Sequence, residues 1–190
     1  MSFVLKSVAV ATLTLTLSGA FAQQGETVKI AWIDPLTGLM GPVGNNQLNT
    51  WKYMADEFNK KNPAGVKFEM IGLDNKLSPA ESLTAFKAAL DQGARYIAQG
   101  NGSSEAGALL VAVDKHNQRN PGKEVLFLNY SSVHPDFHNS KCNSCHFRSD
   151  ADTSMLMAVL TPSITVQPDH KTLHTLIHNY AHHPQLPQSS

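Results

Sequence analysis

The sequence predicts an α/β fold in which a parallel sheet carries helices on both faces. Short apolar runs of strand length alternate, from Val28 to Leu128, with longer segments whose apolar residues recur every three or four positions. Gly, Pro, Asn and Ser separate these segments. Because a strand–helix–strand connection is right-handed and returns the chain to the same sheet, the repeated alternation favours parallel strands covered on both sides.

The first strand and the first helix are predicted on either side of a loop rich in Gly and Pro. An apolar run at Val28–Ile33 suits a buried strand, and the loop extends from Asp34 to Gly44. The segment Gln47–Asn59 places its apolar residues three and four positions apart, which gives a helix with one apolar face. That face comprises Leu48, Trp51, Met54, Ala55 and Phe58.

The second helix carries a clear start signal. After a predicted strand at Val66–Ile71, the motif Ser78-Pro-Ala-Glu81 combines a capping Ser, a Pro at the first helical position and a Glu three residues after the cap. This pattern predicts a helix that continues to Gly93. The remaining predicted elements are a strand at Tyr96–Ala98, a helix at Ser103–Asn117 and a strand at Val125–Leu128.

The amino end has the features of a secretory signal peptide. Met1–Ala22 contains Lys6, an apolar run from Val8 to Leu17 and the small-residue motif Ala20-Phe21-Ala22. The apolar run is interrupted by threonines and is shorter than the roughly 20 residues that a membrane-spanning helix needs. We therefore expect a chain that is exported to the periplasm and begins near Gln23 after cleavage. No Cys follows the cleavage motif, so a lipid anchor is not expected.

Length and charge narrow the class of partner. The 168 residues that follow the predicted signal peptide (190 minus 22) fit one domain. Lys and Arg together number 15, as do Asp and Glu, and neither sign is concentrated in a block. The charge pattern therefore does not indicate binding to nucleic acid or to an anionic membrane, and a small or specific partner is favoured.

A binding site is predicted at the carboxyl ends of the strands, because ligands of open parallel sheets bind where these loops converge. Gly102-Ser103-Ser104 opens a helix there, and the free N–H groups and positive dipole end of a helix start suit a carboxylate. A second interpretation is that Ser103 only caps this helix. The four strand ends are Asp34–Gly38, Asp74-Asn75, Gln99–Ser104 and Asn129–Ser132.

Several motifs, in this order and spacing, resemble type I periplasmic binding proteins, the solute-binding components of ABC importers for branched-chain amino acids and related compounds. The resemblance covers about Val28 to Asp152, and its specificity lies in the succession of motifs rather than in any single one. The motifs are Asp34-Pro-Leu-Thr-Gly38, Asp74-Asn75, Ser78-Pro-Ala-Glu81, Gly93-Ala-Arg-Tyr96, Gly102-Ser103-Ser104, Phe127-Leu-Asn-Tyr-Ser-Ser132 and His146-Phe147-Arg148.

The resemblance implies two Rossmann-like lobes that close on a small carboxylate-bearing solute, such as a branched-chain amino acid, and are then recognised by the membrane permease of an ABC transporter. The two serines at the helix start would hold the ligand carboxylate, the next loop would contact its polar end, and a tyrosine from the second lobe would lie over it. These ligand-binding residues are Ser103, Ser104, Tyr130, Ser131, Ser132 and Tyr180.

No chemistry is expected at this site. The resemblance implies binding without bond-making, with no cofactor and no metal. The sequence contains no Ser/His/Asp arrangement at catalytic spacing and no phosphate-loop motif, so an enzyme is not expected.

The chain departs from this family in length, since it ends where a second lobe would begin. Residues 23–160 are predicted to form the amino-terminal ligand-binding lobe, and residues 161–183 an incomplete start of the hinge and second lobe. Thr161-Pro162 is expected to interrupt the last helix. The Pro-rich residues 184–190 are predicted to be a disordered tail. A truncated, non-functional remnant is therefore a second hypothesis.

Cys142-Asn-Ser-Cys145-His146 supports a different class of function. In an exported protein, C-x-x-C-H is the attachment signature of c-type haem, with His146 as the axial ligand, and it would indicate an electron carrier. The resembled family has an aromatic residue at the position of Cys145, which favours the binding protein. A local disulfide between Cys142 and Cys145, or two free thiols, is the other interpretation.

Histidines recur at four-residue intervals near the carboxyl end. Such spacing places side chains on one helical face, where they can chelate Zn²⁺ or Cu²⁺. No Cys, Asp or Glu ligand pattern accompanies them beyond Asp169, so adventitious surface binding is favoured over a physiological metal site. The histidines of this run are His170, His174, His178 and His182.

Overall fold

The structure, a computed structural model of the chain, describes residues 25–165. All the strands of its single five-stranded sheet are parallel, in the order β2-β1-β3-β4-β5. The predicted fold class is thereby confirmed. The strands are β1 (Thr27–Asp34), β2 (Lys67–Asp74), β3 (Tyr96–Gln99), β4 (Leu126–Asn129) and β5 (His146–Arg148), and the helices are α1 (Gly41–Lys61), α2 (Pro79–Asp91), α3 (Ser103–Arg119) and α4 (Thr153–Thr165), with a short 3-10 turn at Pro135–His138.

The two faces of the sheet pack against different helices because successive strand residues point to opposite sides. Ala31 and Ile33 of β1 belong to the larger core, which α2 and α3 cover with side chains such as Phe86 and Leu109. Trp32, between them in sequence, belongs to the smaller core under α1. Complete burial of a side chain such as Leu109 stabilises the fold by roughly 1.5–3 kcal/mol relative to exposure. The alternation of strand residues between the two cores therefore fixes which face of the sheet each residue at a strand end occupies.

Helix α1 begins earlier than the sequence predicts. It starts at Gly41 rather than Gln47, so residues 41–44, the end of the predicted loop, are helical. Pro42 in the first turn suits a helix start, because an N–H there would lack an intrahelical acceptor. Gly44, which reads as a loop residue, is helical, and a glycine is required because a Cβ at this position would collide with the carbonyl oxygen of Pro35.

The prediction that Thr161-Pro162 interrupts the last helix is wrong. Helix α4 continues through Pro162 to Thr165. Proline removes one N–H donor and crowds the carbonyl four residues earlier, here that of Ala158. Ala158 is exposed, so water can replace the missing donor and the helix can bend outwards at this point.

Several predictions lie outside the described residues. The signal peptide at 1–22, the tail at 184–190, most of the segment 161–183 and the histidine run from His170 to His182 are among them. Tyr180 also lies there. These assignments remain predictions. Within residues 25–165, no helix is long and apolar enough to cross a membrane.

Candidate ligand-binding site

Three strand ends are joined by the carboxylate of Asp34, the last residue of β1. Its Oδ2 accepts a hydrogen bond from the backbone N–H of Gly100 (3.0 Å), and its Oδ1 accepts one from the N–H of Asn101 (3.0 Å). The hydroxyl of Tyr130 donates to Oδ2 at 2.5 Å. Gly100 and Asn101 follow β3 and Tyr130 follows β4, so one fully buried side chain connects the loops of adjacent strands.

Burial governs the ionisation of this pair. Desolvation raises the pKa of Asp34 to about 7, and the hydrogen bonds that favour its charged form offset only part of this effect. Burial and the negative charge of Asp34 both raise the pKa of Tyr130, which therefore remains a neutral phenol. The Tyr130 ring stacks on the buried indole of Trp32, with ring centroids 4.7 Å apart. A Cβ at Gly100 would collide with this ring, which explains glycine there.

The network around Tyr130 has acceptors for either protonation state of Asp34. Asn101 Nδ2 donates both to Gln47 Oε1 (2.7 Å) and to the Tyr130 hydroxyl (2.9 Å), and the Tyr130 hydroxyl lies 3.0 Å from Gln47 Oε1. When Asp34 is ionised, the tyrosine donates to it. When Asp34 is protonated, it can donate to the Tyr130 oxygen while the tyrosine donates to Gln47.

Helix α3 starts beside this network, and its cap is Gly102 rather than Ser103. Gly102 has a φ of 96°, in the region that favours glycine, and makes no side-chain cap. The interpretation of Ser103 as the cap is therefore wrong, because Ser103 is the first helical residue and is buried. The N–H groups of Ser103, Ser104 and Glu105 precede the first intrahelical donor and have no acceptor among the described residues.

Ser132 uses its hydroxyl inside the protein. The side chain is 2% exposed and donates to the carbonyl of Gly100 at 2.9 Å, with the Gly102 carbonyl 3.2 Å away. Asn129 Oδ1 accepts the N–H groups of Ser131 (3.2 Å) and Ser132 (2.7 Å). Together these bonds fix the β4 loop against the start of α3.

A cavity of about 450 Å³ opens above these loops. Of the residues predicted to bind ligand, Ser104 and Ser131 line it, whereas Ser103, Tyr130 and Ser132 are not among the lining side chains. Asn101 and Glu105 also line it. Asn101 lies in a predicted strand-end loop but was not among the predicted ligand-binding residues, and Glu105 was not predicted at all. The sequence contained a signal for Glu105, because this acidic residue lies in the first turn of the predicted helix, beside the N–H groups that were predicted to bind the ligand. The lining residues are Met40, Leu77, Gly100, Asn101, Gly102, Ser104, Glu105 and Ser131.

Asp74, at the end of β2, binds the loop that follows β1. Its Oδ1 accepts the N–H groups of Leu36 and Lys76, both at 2.9 Å, and its Oδ2 accepts the Thr37 hydroxyl at 2.5 Å. Desolvation acts to raise the pKa of Asp74, but these hydrogen bonds outweigh it and lower the pKa. The charged carboxylate therefore holds the β1–α1 loop in place.

The Cys-x-x-Cys-His motif does not fit a haem. His146 lies on β5 and is 7% exposed, with its ring packed 5.2 Å from Phe127 and 5.9 Å from Phe137 between centroids. An axial ligand must present a ring nitrogen to iron at the face of a porphyrin, and both ring nitrogens of His146 are buried. Burial lowers the pKa of His146 to about 4. Cys142 and Cys145 are both free thiols.

No metal centre is formed within residues 25–165. No three His, Cys, Asp or Glu side chains of this part of the chain are grouped as metal ligands.

A comparison with protein families identifies the chain. Residues 27–186 match the model of a family described as periplasmic binding protein. The chain belongs to the periplasmic binding protein family. It is 35% identical over 140 residues to the Leu/Ile/Val-binding protein homolog 4 of Brucella abortus, covering 73% of this chain and 34% of that protein. The Brucella suis protein of the same name matches equally.

Solved structures support the fold class. The leucine-, isoleucine-, valine-, threonine- and alanine-binding protein of Brucella ovis superposes with a TM-score of 0.72 at 27% identity, over 87% of this chain and 43% of that one. A solute-binding protein from Rhodopseudomonas palustris, solved in complex with 4-hydroxybenzoate, shares the fold at 16% identity and a TM-score of 0.66, over 86% of this chain and 42% of that one. The chain thus spans about a third of the length of the curated relatives it matches.

Proposed function

We propose that this periplasmic binding protein holds a small carboxylate-bearing solute, of the branched-chain amino acid class, for an ABC importer and performs no chemistry on it. The observation that carries the proposal is the 450 Å³ cavity at the start of α3, which offers free backbone N–H groups at the carboxyl edge of the sheet. Relatives named as Leu/Ile/Val-binding proteins support the ligand class.

The residues divide into those that contact the ligand and those that position them. Ser104 contributes its N–H to the ligand carboxylate. Its hydroxyl donates to Glu105 in the structure and turns to the ligand carboxylate on binding. Ser103 contributes only its N–H because its side chain is buried. Ser131 faces the ligand from the opposite loop. Tyr130 and Ser132 act through the loops that they hold. Tyr180 covers the ligand in this proposal.

Membership of the family supports a proposed partner and a proposed compartment. The proposed partner is the membrane permease of an ABC transporter, which recognises the ligand-bound form. The proposed location is the periplasm, to which the signal peptide predicted at residues 1–22 would direct export before its removal.

The test is a titration of the isotope-labelled mature chain with L-leucine at millimolar concentrations, followed by amide chemical shifts. We expect saturable shifts in the loops that follow β3 and β4. Ser104→Ala should weaken binding by about fivefold to tenfold, the effect of removing one hydrogen bond. Ser144→Ala, at an exposed position in the Cys142–Cys145 loop, is the matched control and should leave the affinity unchanged. Equal affinities of the two variants would contradict the assigned site.

A further inference from the structure

The cavity contains a carboxylate that the family resemblance does not explain. Glu105 lines the cavity and yet is only 3% exposed. Its side chain is folded back over Gly102, where an added Cβ would collide with Oε2. The carboxylate therefore lies at the start of α3, next to the N–H groups proposed for the ligand.

Glu105 has no cationic partner among residues 25–165. None of the four ion pairs among the described residues includes it, and its one hydrogen-bond donor there is the hydroxyl of Ser104, with Oγ 2.9 Å from Oε2. A buried carboxylate without a counter-charge is costly, and the dipole at a helix start offsets only part of that cost. The arrangement leaves room for a positive charge supplied by the ligand.

A ligand carrying only a carboxylate would fit poorly here. Its negative charge would lie beside that of Glu105, and the Ser104 hydroxyl has a single proton, so it could not donate to both anions. An α-amino acid avoids this conflict, because its ammonium group is attached to the carbon next to its carboxylate. The ammonium can then meet Glu105 while the carboxylate meets the N–H groups of the first turn.

We infer that Glu105 binds the ammonium group of an α-amino acid and makes the cavity select amino acids over carboxylates that lack the amine. This inference rests on the proposed function and names the residue that determines specificity at the same site. The lobe then supplies partners for both charged groups of the ligand from a single helical turn.

The experiment compares two probes with the same carbon skeleton, L-leucine and 4-methylpentanoate, by amide chemical-shift titration of the mature chain. We expect the unmodified protein to bind L-leucine at least tenfold more tightly. Glu105→Gln should weaken L-leucine about tenfold to a hundredfold, as expected for loss of a charged hydrogen bond, and bring the two affinities together.

Glu81→Gln is the matched control. Glu81 is also an acid in a first helical turn, but its side chain is 44% exposed, pairs with Lys76 and does not line the cavity. This variant should keep the preference for L-leucine. If Glu105 only stabilises α3, Glu105→Gln will lower the melting temperature without changing the ratio of the two affinities, and the inference is overturned.

The remaining outcomes separate this inference from the proposed function. Equal binding of both probes by the unmodified protein overturns the inference and leaves the proposed function standing, whereas binding of neither overturns both. Should Glu105→Gln lose the dispersed amide spectrum of a folded chain, Glu105→Asp replaces it. That variant keeps the charge but withdraws it by one methylene, and it should retain a reduced preference for L-leucine; an undiminished preference would count against the contact.

Discussion

Replacement of Asp34 by Asn tests the network that joins the three strand ends. The amide retains one oxygen, which can still accept the Asn101 N–H, but its NH₂ group then faces the N–H of Gly100. A buried N–H left without an acceptor costs about 1–3 kcal/mol. The substitution also removes the carboxylate whose pKa burial raises to about 7.

The two effects depend differently on pH. Because the native pKa of Asp34 (about 7) lies above its ordinary value of 3.8, the native state binds the proton more tightly than the unfolded state. The stability that Asp34 contributes is therefore complete below about pH 4 and is lost as the pH rises through 7. A difference of about 3 pH units between the native and unfolded pKa values corresponds to roughly 4 kcal/mol in the free energy of unfolding. A carboxamide does not titrate in this range, so the Asp34→Asn variant lacks this dependence.

The assay is urea unfolding followed by circular dichroism, from pH 4 to pH 8. We expect Asp34→Asn to be less stable than the unmodified chain at pH 4 by about 1–3 kcal/mol, and to equal or exceed it at pH 8. Asp91→Asn, at an exposed position at the end of α2, is the control. A stability difference between Asp34→Asn and the unmodified chain that does not change with pH would refute the reasoning.

Two further predictions concern side chains packed around the sheet. Gly100→Ala should lower the free energy of unfolding by about 1–3 kcal/mol, because the new Cβ collides with the Tyr130 ring. Altered fluorescence of Trp32, on which that ring stacks, would show that the ring has moved, whereas unchanged fluorescence and stability would contradict the predicted collision. His146→Phe should make the chain less sensitive to acid, because the native pKa of His146 (about 4) lies below its ordinary 6.5 and the stability that neutral His146 contributes above pH 6.5 is lost as the pH falls. An acid-unfolding transition at an unchanged pH would show that His146 does not control acid unfolding.

The sequence predicts the sheet well because its strands and helices have strong local signals. The Ser78 side chain accepts the N–H of Glu81, as the capping pattern predicts. The errors arise where a tertiary contact overrides a local preference. Glycine is required at Gly44 by the close approach of the Pro35 carbonyl, so it does not mark a loop. Pro162 is tolerated because its part of α4 is exposed. Strand β5, at His146–Arg148, was not predicted, since three residues carry no periodic signal.

The site was predicted less completely than the fold, for a physical reason. Position at a strand end identifies Ser104 and Ser131, which do line the cavity. It cannot distinguish a hydroxyl that faces the cavity from one that bonds to the protein, as that of Ser132 does. Nor does it reveal Asp34 as the centre of the network, because its partners are 66 to 96 residues away in sequence.

The Asp34 network bears directly on how strongly the cavity at the start of α3 can bind a ligand. Since the loops after β3 and β4 are already joined through Asp34 and Tyr130, the ligand does not have to order them on binding, which removes one of the usual entropic costs of association. Loosening the network with Asp34→Asn at pH 8 should therefore weaken L-leucine even though stability is preserved. Unchanged affinity in that variant would show that the first turn of α3 keeps its geometry without support from β1.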